Sequence, residues 1–320
     1  MAVFTEVSLA EASALVARLG IGELTSLEPC SGGIENTNYF AHTTAGRFVL
    51  TVFERLTFEQ LPFYLQLMMQ HLAQHGIPVP EPHADGSGAL LHALHGKPAA
   101  VVDRLEGQHT PAPDAAHCAS VGDMVARMHM AGQGFAMHQP NLRGLSWWHS
   151  TVALVLPFLS KAEAALMESE LAYQTHLAAS PAHLALPRGV IHADLFRDNV
   201  MFDGERLTGF FDFYFAGVDA FVFDIAVCLN DWCTDLPSGR LDESRATALT
   251  AAYDAVRPLT SNELRLLPAM KRAAALRFWV SRLWDLHLPR SAQVLEAHDP
   301  AQFERILRAR IDTPWHYVRP

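Results

Sequence analysis

Asp194, Asn199 and Asp212 are the residues of this chain whose types and spacing could do chemistry. Asparagine and aspartate offer hard oxygen ligands, and a Mg²⁺ ion bound to a nucleotide takes only one or two of these from protein beside phosphates and waters. Asn199 and Asp212 stand at the two ends of a segment that reads as a β-hairpin. Two short apolar runs, Val200 to Phe202 and Leu207 to Phe211, are joined by a turn beginning Asp203-Gly204. In an antiparallel hairpin closed there, Asn199 lies opposite Asp212 or within about two residues of it. Asp194 stands five residues before Asn199 on the preceding loop. A carboxylate near the metal that need not ligate it could orient a substrate hydroxyl and accept its proton. In phosphoryl transfer by kinases, a catalytic-loop Asp plays that part while an Asn five residues on and a later Asp hold two Mg²⁺ ions. The three residues here match that order and spacing. His192 and Asp194 taken alone read more readily as loop-capping residues; the joint set reverses this and points to a phosphotransferase.

The elements that must position these residues differ along the chain. Residues 46–53 follow a turn-forming Gly46 and are rich in β-branched and aromatic side chains, which predicts a strand. Residues 60–75 place Leu61, Tyr64, Leu65, Met68 and Leu72 at spacings of three and four, which predicts a helix that must stop at Gly76-Ile77-Pro78. Ala99 to Val102 suggest another strand, and residues 103–113, ending in Thr110-Pro111-Ala112-Pro113, form the candidate linker. Beyond it the pattern is mostly helical, over 115–131, 160–178, 241–256, 262–288 and 300–311, with Pro258 and Pro289 as breakers. The expected architecture is α+β, with a small β-rich lobe over 1–103, a larger mostly helical lobe over 104–320, and a hinge near 101–107.

Composition limits the function classes. With 320 residues, half of them hydrophobic and 18% charged, the chain can bury a sizeable core. Its 24 basic residues against 34 acidic ones give a net charge of −10, the opposite of what neutralising a row of phosphates needs, so nucleic acid is not an expected partner. The first residues lack a signal-peptide pattern, and no apolar run is long enough for a membrane span, so a soluble, cytoplasmic protein is expected. Cys30, Cys118, Cys228 and Cys233 lack zinc-site spacing and read as free thiols in a reducing compartment. The pairs His71/His75 and His92/His95 could each share a helix face, but without a third ligand they make a weak metal reading.

The loop His192-Ala193-Asp194-Leu195-Phe196-Arg197-Asp198-Asn199 resembles that of the aminoglycoside and choline kinase branch of the protein-kinase-like superfamily, which reads His-x-Asp-x-x-x-x-Asn. Within that branch the chain is similar to the bacterial homoserine kinases, nearly end to end. The similarity runs through Glu35-Asn36-Thr37-Asn38, Phe48-Val49-Leu50-Thr51, Asp212-Phe213-Tyr214, Leu229-Asn230-Asp231-Trp232-Cys233 and Arg277-Phe278-Trp279-Val280-Ser281-Arg282-Leu283. The resemblance implies a two-lobed protein-kinase-like fold and a kinase that uses ATP and Mg²⁺. It also implies that Ser31 to Asn38, with Gly32, Gly33, Asn36 and Asn38, covers the ATP phosphates, and that Val101 to Gly107, with Val102 and Asp103, receives adenine. His192, Asp194 and Arg197 would be the catalytic residues of the loop, Asn199 and Asp212 the metal ligands, and Asp224 a brace for the loop. Two departures stand out. Thr51 occupies the strand position where many kinases carry a phosphate-binding lysine, and Gln66 the position of its glutamate partner. Arg47 or Arg55 could substitute, or Mg²⁺ and backbone amides could suffice.

The substrate expected from this resemblance is L-homoserine, a small-molecule alcohol of threonine biosynthesis. Only Phe213 to Phe223 separate Asp212 from Asp224, too short for a protein-kinase activation loop. Homoserine is a zwitterion, so its site needs an acid for the ammonium and a cation for the carboxylate. Asp231 is the candidate for the first and Arg282 or Arg197 for the second, with Trp232 beside them. Alternatively, Asp224 and Asp231 position helices and Trp232, Trp279 and Trp284 are core. Two other functions stay open: a kinase for choline, an amino sugar or an aminoglycoside, and a nucleotide-binding pseudokinase.

Overall fold

Residues 4–30, 36–54, 56–288 and 299–319 are described by a computed structural model, and the chain divides into two units. The first comprises residues 1–107 with 208–211, the second residues 108–207 with 212–320.

The first unit is built on a five-stranded antiparallel sheet in the order β1-β2-β3-β5-β4. Its strands are β1 (Leu24–Pro29), β2 (Thr37–Thr43), β3 (Arg47–Val52), β4 (His92–Leu94) and β5 (Lys97–Asp103). Alternate residues point to one face: Tyr39 and Ala41, then Phe48, Leu50 and Val52, then Ala99 and Val101, all buried. Helix α1 (Leu9–Leu19) covers that face with Ala12, Leu15, Val16 and Leu19. Burying a side chain such as Leu15 contributes roughly 1.5–3 kcal/mol. The helix starts at a Ser8–Glu11 capping box and ends on Gly20, whose φ of 68° places it in the left-handed region.

The helix expected over 60–75 changes type along its length. An α-helical start, α2 (Leu61–Gln66), gives way to π-helical turns over Leu67–Leu72 and a 3₁₀ turn over Ala73–His75, before Gly76 stops the chain at φ 73°. Leu67 and Leu72 explain the change. Five residues apart, they would sit on different sides of an α-helix, but the wider π turn brings both onto the face where they are fully buried.

The second unit is mostly helical: α3 (Ala115–Gly132), α4 (Leu145–Val155), α5 (Lys161–Ala178), α6 (Pro181–Leu184), α7 (Phe221–Trp232), α8 (Glu243–Val256), α9 (Ser261–His287) and α10 (Ala301–Asp312). Every residue of α7 is buried, which marks it as the central helix, and it packs on α9. Strands β6 (Arg188–Ile191) and β9 (Gly217–Ala220) pair antiparallel, with Ile191 opposite Gly217. The expected hairpin is present as β7 (Val200–Asp203) and β8 (Arg206–Phe210), turning at Gly204 with φ 60°. The four cysteines are free thiols, three of them buried. Among the described residues no cluster of three or more His, Cys, Asp or Glu could hold a metal, and no helix is long and apolar enough to cross a membrane.

Helices α3 and α8 approach each other closely at Gly122, where an added Cβ would lie 2.0 Å from the Leu249 carbonyl oxygen. Backbone cannot give way as a side-chain tip can. Gly122→Ala should therefore destabilise the protein by at least about 1–3 kcal/mol, measured as a lower midpoint in thermal or denaturant melts. An unshifted melt would mean that the helices can part there.

Candidate active site

The loop that carries Asp194 leaves β6 and is held from below by α7. Because β9 pairs with β6 and runs directly into α7, the first turn of that helix brings Asp224 under the loop. The Asp224 carboxylate accepts from the backbone N–H of His192 at 2.8 Å and of Ala193 at 2.7 Å. Pointing two successive amides at one carboxylate requires Ala193 to adopt φ 65°, a left-handed conformation that costs an L-residue about 1–2 kcal/mol. His129 on α3 donates from Nε2 to the same carboxylate at 3.0 Å and through Nδ1 meets the Tyr253 hydroxyl at 2.7 Å. Arg257 then donates to that hydroxyl and to Glu263. The brace expected of Asp224 is thus the inner end of a buried polar chain reaching α8 and α9.

Burial by itself pushes the Asp224 carboxyl up, but the hydrogen bond from the His129 ring, together with that from the His192 amide, holds it below its ordinary 3.8. Burial pushes His129 below its ordinary 6.5 against the pull of Asp224, so the ring is neutral at pH 7 and donates as drawn. Burial raises the Tyr253 phenol, which keeps its proton.

A second clamp holds the far end of the loop. Arg197 donates from its backbone N–H and Nε to Asp231 Oδ2, at 2.8 and 3.1 Å, from Nη1 to the Pro111 carbonyl and from Nη2 to the Asp231 carbonyl. Trp232 donates its indole N–H to the Leu195 carbonyl at 3.0 Å. Between the clamps lies Asp194, whose side chain is 16% exposed. Its carbonyl accepts from Asn199 Nδ2 at 2.9 Å, which turns the Asn199 amide oxygen the other way. Asp212, after β8, has φ 67° and ψ 55°, an unusual backbone for a residue other than glycine and one that aims its side chain independently of the strand. An amide oxygen and a carboxylate are the hard donor pair that a nucleotide-bound Mg²⁺ accepts.

Several residues expected at the site lie in the scaffold of the loop. Trp232 is wholly buried and its N–H is engaged, so it packs and anchors the loop rather than touching substrate. Asp231 is buried against Arg197 as the counter-ion of the loop, and Arg197 clamps the loop through it. His192 is fully buried, packs on Phe213 and accepts the Asp194 N–H at Nδ1, so it positions Asp194 from behind. Arg282 donates to the Asp299 carbonyl and Gln302 Oε1 and lies over Phe303, turned toward α10.

In the first unit, Gly32, Gly33 and Arg55 fall outside the described residues. Asn36 is buried and accepts the Glu54 N–H, and Asn38 lies opposite Thr51 and accepts its hydroxyl at 2.7 Å. Arg47 pairs with Glu106. Lys97 pairs with Glu54 and Thr5. On β5 the Val101 carbonyl and the Asp103 N–H bond to residues 83 and 81, which turns the backbone groups of Val102 toward β3 and corrects Val102 as an adenine contact. The Asp103 N–H is likewise engaged, with the Glu81 carbonyl.

Sequence reasoning missed Arg277, whose Nη1 lies 3.3 Å from Asp194 Oδ1. Its signal was an arginine within an apolar stretch of α9, just as a histidine in the apolar face of α3 signalled His129. Buried polar side chains of this kind must meet partners.

The phosphotransferase enzyme family (APH) matches residues 26–259. Among solved structures, an amicoumacin kinase complexed with AMP-PNP and Ca²⁺ aligns over 93% of this chain and 92% of its own with a TM-score of 0.69 at 14% identity, a likeness of fold. A two-lobed kinase-like fold with this loop defines a phosphotransferase. Among curated proteins, the chain is 61% identical over 98% of its length to a homoserine kinase of Polaromonas naphthalenivorans, of which 99% is covered. It is 53% identical over 98% of its length to the homoserine kinase of a Janthinobacterium species, of which 97% is covered. The chain belongs to the phosphotransferase enzyme family and, within it, to the homoserine kinases.

His129 and Asp224 both bind protons less readily in the fold than in the open chain. Stability is therefore full above the ordinary histidine value of 6.5 and falls as the pH drops below it, with Asp224 extending the loss below 3.8. Denaturant titrations between about pH 8 and about pH 5 should show this slope, and His129→Gln should flatten part of it. An unchanged slope in the variant would mean that His129 takes up its proton as easily in the fold as out of it.

Proposed function

We propose that Asp194 is the base, and Asn199 and Asp212 the Mg²⁺ ligands, of the reaction this chain catalyses: ATP-dependent phosphorylation of the L-homoserine hydroxyl to O-phospho-L-homoserine, a step of threonine biosynthesis. The observation that carries the assignment is the hydrogen bond from Asn199 Nδ2 to the Asp194 carbonyl, which ties one metal ligand to the base within a loop already pinned at both ends.

Asp194 accepts a hydrogen bond from the substrate hydroxyl and holds its oxygen for in-line attack on the γ-phosphorus. As the new O–P bond forms and the bond to the leaving ADP oxygen breaks, the proton passes to Asp194. Asn199 presents an amide oxygen and Asp212 a carboxylate to Mg²⁺, which when bound offsets charge on the phosphates. His192, Asp224 and Arg197 take no part in the transfer and hold the loop in register. By the resemblance, the segment from Ser31 to Asn38, of which Asn36 to Asn38 are described, is assigned to the ATP phosphates and Asp103 with Leu105 to Gly107 to adenine. With no lysine at Thr51, charge neutralisation falls more heavily on the metal. The partner is a small molecule and the location the cytoplasm, in keeping with four free thiols.

Asp194→Asn should lower kcat by about 10²–10⁴-fold while Mg-ATP still binds in calorimetry; near-normal turnover would remove Asp194 as the base. Asp212→Asn should raise the Mg²⁺ concentration needed for half-maximal rate, and an unchanged requirement would remove Asp212 as a ligand. ADP release with choline, N-acetylhexosamines or kanamycin but not with homoserine would keep the mechanism and replace the substrate.

A further inference from the structure

The second unit holds a cavity of about 320 Å³, lined by none of Asp194, Asn199 and Asp212. Its wall is drawn from α4, α5, α7, α9 and the strands β6 and β9. Three polar features share that wall. Helix α4 begins at Gly144, which has no side chain to cap it, and the amides of Leu145 and Ser146 meet no acceptor among the described residues. The first N–H groups of a helix point along its axis and carry partial positive charge, so this start favours an anion. Gln174 on α5 is only 3% exposed. Its amide nitrogen donates to Glu170 Oε1 at 2.7 Å and to the Ala269 carbonyl at 3.1 Å, and two acceptors fix which end of the amide is nitrogen. Gln174 Oε1 accepts from no described residue, an uncommon state for a buried acceptor. Arg188 on β6 donates to Asp219 at 2.7 Å, and Asp219 also accepts from Asn141 Nδ2 and the Ala220 N–H. Burial, with Arg188 beside it, holds His183 below its ordinary 6.5, so that ring adds no charge at pH 7. The side-chain charges of the wall therefore cancel.

We propose that this cavity is a second small-molecule site, which binds a free α-amino acid with a small apolar side chain, its carboxylate at the start of α4 and its ammonium on Gln174 Oε1. The carboxylate supplies the acceptor that the Leu145 and Ser146 amides lack, and the ammonium supplies the donor that Gln174 lacks. A zwitterion brings both without net charge, which suits a wall whose own charges cancel. An inorganic anion would satisfy α4 and leave the Gln174 oxygen facing more negative charge; an amine alone would satisfy Gln174 and leave the amides unmet. Phe223, Met270 and Ala273 form the apolar part of the wall, against which the side chain packs. The cavity has the room of about ten water molecules at roughly 30 Å³ each, ample for an amino acid of valine's size. The inference is independent of the roles of Asp194, Asn199 and Asp212.

Calorimetry on the full chain tests this with L-valine, with 3-methylbutanoate, which is valine without its ammonium, and with 2-methylpropan-1-amine, which is valine without its carboxylate. L-Valine should bind, and each truncated analogue should bind at least about tenfold more weakly, the size of one lost charge-assisted hydrogen bond. Ala178→Phe puts a ring into the cavity from a half-buried position at the end of α5, and should abolish L-valine binding while homoserine turnover persists. Leu145→Pro removes one of the amides at a helix position that suits proline, after a Gly144 that is already extended at φ −78° and ψ −169°. It should weaken L-valine by at least about tenfold. A melt accompanies each variant, and if Ala178→Phe does not fold, Leu145→Pro and the two analogues decide. No binding of L-valine, or 3-methylbutanoate bound as tightly as L-valine, would overturn the proposal. So would L-valine binding that survives in Ala178→Phe, which would place the amino acid at the catalytic site instead.

Discussion

A buried carboxylate that must be satisfied organises the catalytic half of this protein. Asp224 has no water to solvate it, and a charge in that position persists only if donors surround it. Two of those donors are the backbone amides of His192 and Ala193. The loop therefore cannot relax without stranding the charge, and the left-handed turn at Ala193 is sustained by the same bonds. Asp194 leaves that turn in one direction, and its carboxylate inherits the rigidity of its neighbour's backbone.

Helix α7 extends this control to the whole loop. Asp224 and Asp231 are seven residues apart, two helical turns, and so share a face. The first holds residues 192 and 193, the second holds Arg197, and Trp232 holds the Leu195 carbonyl between them. A helix that is buried on every side is a suitable foundation because it has no solvated face toward which to shift. The polar chain from Asp224 through His129, Tyr253, Arg257 and Glu263 ties that foundation to α3, α8 and α9. Asp194, the proposed base, is thus placed by the packed core of its unit, as a site needing sub-ångström order requires.

Much of this was legible in the sequence, for reasons that differ by element. The strands at 47–52 and 97–103 and the helices at 115–132, 161–178, 243–256 and 301–312 follow from local periodicity, caps and breakers, and the hairpin between Asn199 and Asp212 follows from its turn. The family was legible because the loop and the segments around it are contiguous strings. The π-helical turns at Leu67–Leu72 were not, because α and π spacings look alike until the buried face is known. Asn-Asp-Trp-Cys was informative about kinship, yet its acid and its tryptophan face the loop rather than a ligand.

The order and spacing of Asp194, Asn199 and Asp212, and the hairpin joining the last two, were determined by the sequence alone, because short-range chemistry and chain geometry act within a few residues. Which carboxylate is sealed into the scaffold and which stays accessible was decided only by the tertiary fold. Asp194, Asp224 and Asp231 carry the same functional group, and their environments differ because two are buried against loop amides and an arginine while one stays half-buried beside Arg277. Contacts between residues 31 to 83 positions apart set those environments, and no local pattern encodes them.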